Sequence, residues 1–198
     1  MANEYATLAD LKTRLNMTGS AHDAELQSKL TVASRDIDRD TGRRFYLDGA
    51  ATARVFNPRY RQLGTPEGMK LFIDDIGDVT GLVVEVGSTA TGWSAITDYE
   101  TGPDNAIVTA NPVEWLLRTY IPWVYWPRQR IRVTAIWGWP AVPPQINEAA
   151  LLRASRLYRR RDSPEAVAGF GDLGVVRVGR YDPDYETLIA NFRNPAIG

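Results

Sequence analysis

The stretch from Ile131 to Ile146, IRVTAIWGWPAVPPQI, predicts a strand that is followed directly by a helix. Ile131 and Val133 alternate with polar residues, which is the period of a strand with one buried face. Gly138 ends that pattern, and Pro143-Pro144 suits the first turn of a helix, where the missing N–H groups cost nothing. The apolar period then becomes helical through QINEAALLRASRLYRRR. We therefore expect a strand, a tight aromatic turn and a helix that ends in arginines.

Two more helices are predicted near the N-terminus. Thr7 opens the first, TLADLKTRLN, and Gly19 is the residue expected to stop the chain after it. Ser20 or Asp23 can cap the second, DAELQSKLTVASRDIDRDTG, and Gly42 is well placed to end it. The second helix carries a single apolar stripe formed by Leu26, Leu30, Ala33 and Ile37. This stripe predicts packing against other helices.

The region between Arg43 and Trp139 has a different character. Its short segments ARVFNP, MKLFIDDI, GLVVEVG, WSAITDYETG, NAIVTA and RIRVTAIW are rich in β-forming residues, and Gly, Pro and Asn separate them. The segment WLLRTYIPW fits neither a helix nor a strand clearly, because Pro122 interrupts both patterns. We expect a small antiparallel β-domain.

The chain after the helix at about Pro144 to Arg161 is predicted to be a long loop over 162–181, with one strand at GVVRV. A last helix follows, with Asp182 as N-cap and Pro183 at its first position, and it runs to about Arg193. The predicted fold class is therefore α+β. A small bundle of about four helices, formed by 1–42 and 140–198, is interrupted by a β-rich domain at 43–139.

The composition limits the possible functions. Basic and acidic residues number 23 and 24, for a net charge of -1, whereas tight nucleic-acid binding usually needs a clear basic excess. The absence of cysteine excludes disulfides and thiol catalysis and fits a reducing cytoplasm. We see no signal peptide at the N-terminus and no apolar run that could span a membrane.

Candidates for chemistry are few. His22 is the single histidine and lies beside a helix start, where a solvated or capping role is usual. Asp74, Asp75 and Asp78, with Glu85 nearby, could be imagined as a hard-metal site, but they lack the ligand alternation of a calcium loop. No residue set has both the types and the spacing that catalysis requires, so we expect neither an enzyme nor a metal or cofactor site.

All six tryptophans lie between Trp93 and Trp139. They can fill the thin core of a small β-domain or form a contact between subunits. They can also form an exposed platform for sugars or, less in keeping with the charge, for nucleic-acid bases. The first two interpretations are favoured, and a glycan-binding module remains the alternative.

Arginines crowd the end of the third long helix. Arg153, Arg156 and Arg160 lie on one helical face, where they can be solvated cations at a helix C-terminus. They can equally form contacts between subunits, with acids such as Asp36 and Asp40 of a neighbouring copy. Both interpretations stay open.

The element order and the strand-to-helix junction resemble those of the head–tail connector (adaptor) proteins of long-tailed bacteriophages. The order of helix, helix, β-insertion, helix, loop and helix is similar to that of the longer connectors, in which a helical bundle carries a β-insertion. At the level of residues the resemblance is restricted to about 7–42 and 131–193. The patterns are characteristic, but neither is a chemical signature.

The resemblance implies a structural protein of the virion neck, made in the host cytoplasm. It implies a ring of twelve copies that docks under the portal protein, receives a tail-side stopper protein and surrounds a channel through which DNA passes without specific binding. It places the C-terminal segment at the portal. The candidate portal-binding residues there are Tyr185, Leu188, Ile189, Phe192 and Arg193. Their apolar stripe can cover only one surface, either the bundle itself or a partner.

Overall fold

The computed structural model describes residues 3–119, 121–123, 128–160, 167–168, 176–177 and 182–194, with only the backbone for the two short pairs. The chain forms two compact units. The helical unit comprises Met1–Arg43 and Val142–Asn194, and the β-unit is Arg44–Ala141.

Within its described residues, the helical unit contains four α-helices. They are α1 (Leu8–Leu15), α2 (Asp23–Thr41), α3 (Pro144–Arg159) and α4 (Pro183–Ile189), and a 3-10 turn at Ala190–Phe192 extends the last. The stripe predicted on α2 is fully buried, and α2 packs on α3, which contributes Ile146, Ala150 and Ala154 to the core. The hydrophobic effect over this apolar stripe holds the helices together.

The helix ends agree only in part with the sequence. Thr7 caps α1 by accepting a hydrogen bond from the Asp10 backbone N–H, and Gly42 ends α2 in the left-handed conformation, as predicted. The predicted helix TLADLKTRLN ends where the structure ends α1, but the residue that stops it is Asn16 and not Gly19. Asn16 ends the helix with a φ of 56°, and its N–H satisfies the carbonyls of the last turn. Neither Ser20 nor Asp23 caps α2, because His22 occupies that position without a side-chain bond.

The segment predicted as loop and strand at 162–181 lies mostly outside the described residues. Two short strands lie there, β8 (Val167–Ala168) and β9 (Val176–Arg177), and they pair antiparallel. Part of the predicted strand GVVRV is therefore seen as β9.

The described residues of the β-unit form a seven-stranded antiparallel sheet. Its strands are β1 (Thr52–Phe56), β2 (Gln62–Thr65), β3 (Gly68–Ser88), β4 (Gly92–Ile96), β5 (Glu100–Gly102), β6 (Val113–Arg118) and β7 (Arg130–Trp137). The order is β1-β7-β3-β6-β5, and β2 and β4 also pair with β3. The core lies on one face and includes Leu71, Ile76, Leu116, Ile131, Val133 and Trp137.

Two sequence interpretations of this unit need correction, and one segment that the sequence left ambiguous is resolved. MKLFIDDI and GLVVEVG are not separate strands but parts of β3, which continues through Gly77. The register shifts there, and a Cβ on Gly77 would lie 2.8 Å from the Gly138 carbonyl oxygen, so this glycine serves a bulge rather than a turn. NAIVTA forms a 3-10 turn at Ile107–Thr109, and the ambiguous WLLRTYIPW contains β6.

Four helices and a large antiparallel sheet confirm the predicted α+β class. Among the described residues, no helix is both long and apolar enough to cross a bilayer.

Candidate interaction surfaces

The C-terminal stripe divides into a buried and an accessible part. Tyr185 and Ile189 are 4% and 0% exposed and belong to the core of the helical unit. Leu188 and Phe192 are half-buried, and Arg193 is exposed. The carbonyl of Thr41 accepts a hydrogen bond from the Asn194 N–H at 2.8 Å, which fixes the end of this segment to α2. The stripe therefore covers its own bundle through two of its residues.

Tyr185 is held by polar as well as apolar contacts. Its hydroxyl donates to Oδ2 of Asp40 at 3.0 Å. Burial and the neighbouring Asp40 carboxylate raise the pKa of the Tyr185 phenol well above its usual value, so it remains a neutral donor. The bond joins α4 to the end of α2 and fixes the position of Leu188 and Phe192.

The charged pair predicted between subunits forms within the chain. Arg153 donates from Nε and Nη2 to Oδ2 of Asp36, at 2.9 and 2.7 Å. The other oxygen of Asp36 lies 2.8 Å from Arg39. Because Asp36 is nearly buried, this pair links α2 to α3 inside one molecule.

Arg156 has an acidic partner within the chain, whereas Arg160 has none among the described residues. Arg156 pairs at 2.7 Å with Asp182, the residue that caps α4 through the backbone N–H groups of Asp184 and Tyr185. Arg160 lies at the exposed end of α3, and its side chain has no acidic partner among the described residues. Of the three arginines, Arg160 is therefore the one that no described acidic residue pairs with, which makes it the candidate for an intermolecular contact.

Three of the tryptophans are core residues. Trp123, Trp137 and Trp139 are buried, and their indole N–H groups donate to Met69 O, Thr52 O and Asp75 Oδ2. Buried indoles with satisfied N–H groups cannot form a sugar-binding platform. Trp126 lies outside the described residues.

Trp93 and Trp115 are half-buried on the β-unit. The Arg132 guanidinium lies 4.6 Å from the Trp93 ring centroid, and the Lys70 ammonium lies 4.1 Å from that of Trp115. Each ring thus has a cation over one face, which is the arrangement of a cation–π contact.

The acids considered for a metal site have separate partners. Asp74 binds Arg54 and Arg61, Asp75 accepts from Trp139, and Glu85 binds Arg132. No group of three or more potential ligands occurs in the described part of the chain. The His22 ring packs edge-on against Tyr158 at 6.0 Å, with its Nδ1 3.8 Å from Glu25.

One feature was missed from the sequence. Arg128, Arg130 and Arg132 line a cleft together with Trp93. The alternation RQRIRV could have indicated it, because residues two apart in a strand point to the same face.

A protein-family model matches the N-terminal third of the chain. Residues 5–70 match the sequence model of the Phage gp6-like head-tail connector protein family. The matched range includes α1, α2 and the first strands of the β-unit. A comparison with curated proteins finds no match.

Solved structures show the same fold along nearly the whole chain. A chain from the neck of an empty GTA particle computed with C6 symmetry is 18% identical, with a TM-score of 0.52. A chain from the virion of a native gene transfer agent (GTA) particle is 20% identical, with a TM-score of 0.54. Both alignments cover 96% of this chain and 89% of the other. The resemblance to head–tail connector proteins that the sequence predicts is thus confirmed, by the family match over 5–70 and by the fold.

Proposed function

We propose that this protein is a structural component of the virion neck that joins the portal to a tail-side stopper. The observation that carries the proposal is the connector-family match over α1 and α2, combined with a fold shared with chains of GTA neck and virion particles. The role involves no chemical step, and the ion pairs and packing described above supply a scaffold.

In this proposal twelve copies form a ring around the DNA channel. The C6 symmetry of the similar neck structure is compatible with twelve subunits. A net charge of -1 suits a channel wall, because strong attraction to phosphates would slow the passing DNA. DNA is therefore a passing cargo and not a specific ligand.

The charged residues divide into structural and intermolecular roles. Arg153, Asp36, Arg156 and Asp40 have partners within the chain, and they fix α2, α3 and α4 in the shape that a ring requires. Arg160 is accessible, and we assign it to the contact with a neighbouring subunit. Of the five charged residues that the sequence suggests for the subunit interface, this proposal keeps Arg160.

The portal contact is assigned to the accessible part of the C-terminal stripe. Leu188, Phe192 and Arg193 can reach a partner without unfolding α4, whereas Tyr185 and Ile189 support them from the core. A small surface with an aromatic ring and an arginine has the composition of an interaction hot spot.

Electron microscopy of the protein mixed with its portal tests this function. We expect extra ring density on the tail-facing side of the portal with the wild type. Phe192→Ala/Arg193→Ala should lose the density, and Leu63→Ala, which changes an exposed residue of the β-unit, should retain it. Absence of density with the wild type would contradict the neck function, and density with the double variant would move the portal contact elsewhere.

Arg160→Glu tests the ring separately. Arg159, its exposed neighbour on α3, provides the matched control Arg159→Glu. We expect Arg160→Glu to reduce the number of subunits bound per portal while the melting temperature is unchanged, because an exposed charge contributes under about 1 kcal/mol to folding. An equal number of subunits per portal with both variants would show that Arg160 is only a solvated cation at the end of α3.

A further inference from the structure

A cleft on the β-unit concentrates positive charge that the rest of the unit does not share. It has a volume of about 520 Å³, and its lining includes Arg128, Arg130 and Arg132 with Trp93 and Val55. The β-unit as a whole has nine basic and ten acidic residues, so the three arginines are a local segregation and not a general excess.

The strand register builds the cleft on the face of the sheet opposite the core. Ile131 and Val133 point into the core, so Arg130 and Arg132 on β7 point away from it. Arg132 lies beside Val55 of β1 and Glu85 of β3. In the next row, Gly87 lies between Arg130 and Trp93 and contributes no side chain, which leaves the space open.

Two of the three arginines have no acidic partner in the described part of the chain. Glu85 receives two hydrogen bonds of 2.6 Å from Arg132. Arg130 donates to the carbonyl of Gln129 at 3.0 Å, and neither Arg130 nor Arg128 has a carboxylate partner within the described residues. Two guanidinium groups, each able to bind a carboxylate bidentately, therefore line the cleft without a counter-charge from the described residues.

An edge strand lies beside this charge. β1 lies at one edge of the sheet, and in the described part of the chain only β7 pairs with it. Val55 on β1 is 56% exposed. An extended segment added along β1 would be about 4.8 Å from it and about 10 Å from β7, within combined reach of an arginine and a glutamate side chain.

We propose that this cleft binds an extended acidic segment of a partner protein, which pairs along β1 and places its carboxylates against Arg128 and Arg130. The aliphatic stems of those acidic side chains would lie over Val55, which shares the face of Arg130 and Arg132, whereas the alternate side chains of the segment would point to the other face of the sheet. A nucleic acid is less suited, because the Glu85 carboxylate repels phosphates and Arg132 occupies one face of Trp93.

The test measures binding of synthetic peptides to the full-length protein by calorimetry at low ionic strength. The probe is a short peptide of alternating Glu and Val, and the control probe replaces Glu with Gln. Arg128→Gln/Arg130→Gln is the test variant, and Arg59→Gln changes an exposed arginine of the same unit outside the cleft. We expect saturable binding of the acidic peptide that weakens about tenfold in the double variant and less than twofold in Arg59→Gln.

Several outcomes would overturn the proposal. The first is that the acidic peptide shows no saturable binding. The second is that the Gln peptide binds as tightly as the acidic one, and the third is that the double variant binds the acidic peptide with wild-type affinity. Tighter binding of an oligothymidylate that the double variant abolishes would assign the cleft to nucleic acid. Self-association of the wild type that the same variant removes, seen by sedimentation, would assign it to a second copy. Should the double variant not fold, Arg130→Gln and the loss of wild-type affinity with added salt provide the same test. No portal is used, so the result is independent of the neck function.

Discussion

Replacing Ile189 and Leu188 separately distinguishes the two roles of the C-terminal stripe. Ile189 is 0% exposed, and removing a buried isoleucine side chain to the β-carbon costs 2–5 kcal/mol, so we expect Ile189→Ala to lower the free energy of unfolding by about 3 kcal/mol. Leu188 is only half-buried, and Leu188→Ala should cost about 1 kcal/mol.

Urea unfolding followed by circular dichroism at the helical band measures the difference, since the α-helices of the described chain lie in the helical unit. The two variants should respond in the opposite order in portal binding, with Leu188→Ala losing affinity and Ile189→Ala retaining it in the folded fraction. Equal stability loss, or a loss under about 1 kcal/mol for Ile189→Ala, would refute the assignment of Ile189 to the core.

Three further predictions concern the two units and their ion pairs. Replacing 45–136 with a short Gly/Ser linker should leave a soluble protein with a helical dichroism spectrum. The reason is that the two ends of the β-unit lie close together, since the Asp48 N–H donates to the Trp137 carbonyl at 2.8 Å. Loss of the helical signal would show that the two units share one core. Arg153→Met keeps the aliphatic contact but leaves Asp36 with only Arg39, so urea unfolding should show a loss of about 2 kcal/mol, against under 0.5 for Arg160→Met. Hydrogen bonds from Arg132 lower the pKa of Glu85 in the folded protein. The ionised carboxylate therefore stabilises the fold at pH values above its unfolded-state pKa of about 4.3, and this stabilisation is lost as the pH falls through the folded-state pKa. Acid titration of Glu85→Gln should therefore show a flatter loss of stability between about pH 5 and pH 3 than the wild type, and an identical acid limb would contradict this contribution.

Local signals predicted the helices well. A capping side chain such as Thr7 and a left-handed glycine such as Gly42 act within one turn of the backbone, so the sequence alone contains the necessary information. The role of Asn16 as the residue that ends α1 was missed, because asparagine adopts the left-handed conformation less often than glycine and Gly19 follows a few residues later.

Distant partners decided what the sequence could not. Gly77 has the local signature of a turn, yet β3 continues through it because β7 approaches there. The helical period places Arg153, Arg156 and Arg160 on one face of α3, but whether Arg153 contacts Asp36 of its own chain or of a neighbour depends on how α2 packs on α3. The cleft was missed for the same reason, since it exists only when β1, β7, β3 and β4 lie side by side.

The position of β7 in the sheet has a consequence for synthesis on the ribosome. β7 lies between β1 and β3 but is the last strand of the β-unit to be made, so the sheet cannot close until Trp137 has emerged. The end of α3 lies 22 residues after Trp137, and at about 5–20 residues per second these residues take roughly 1–4 seconds to synthesise. During that interval the β-unit can complete its core while α2 still lacks the helix that covers its apolar stripe. We expect the charged side chains on the rest of α2 to limit aggregation of the uncovered stripe until α3 has been made.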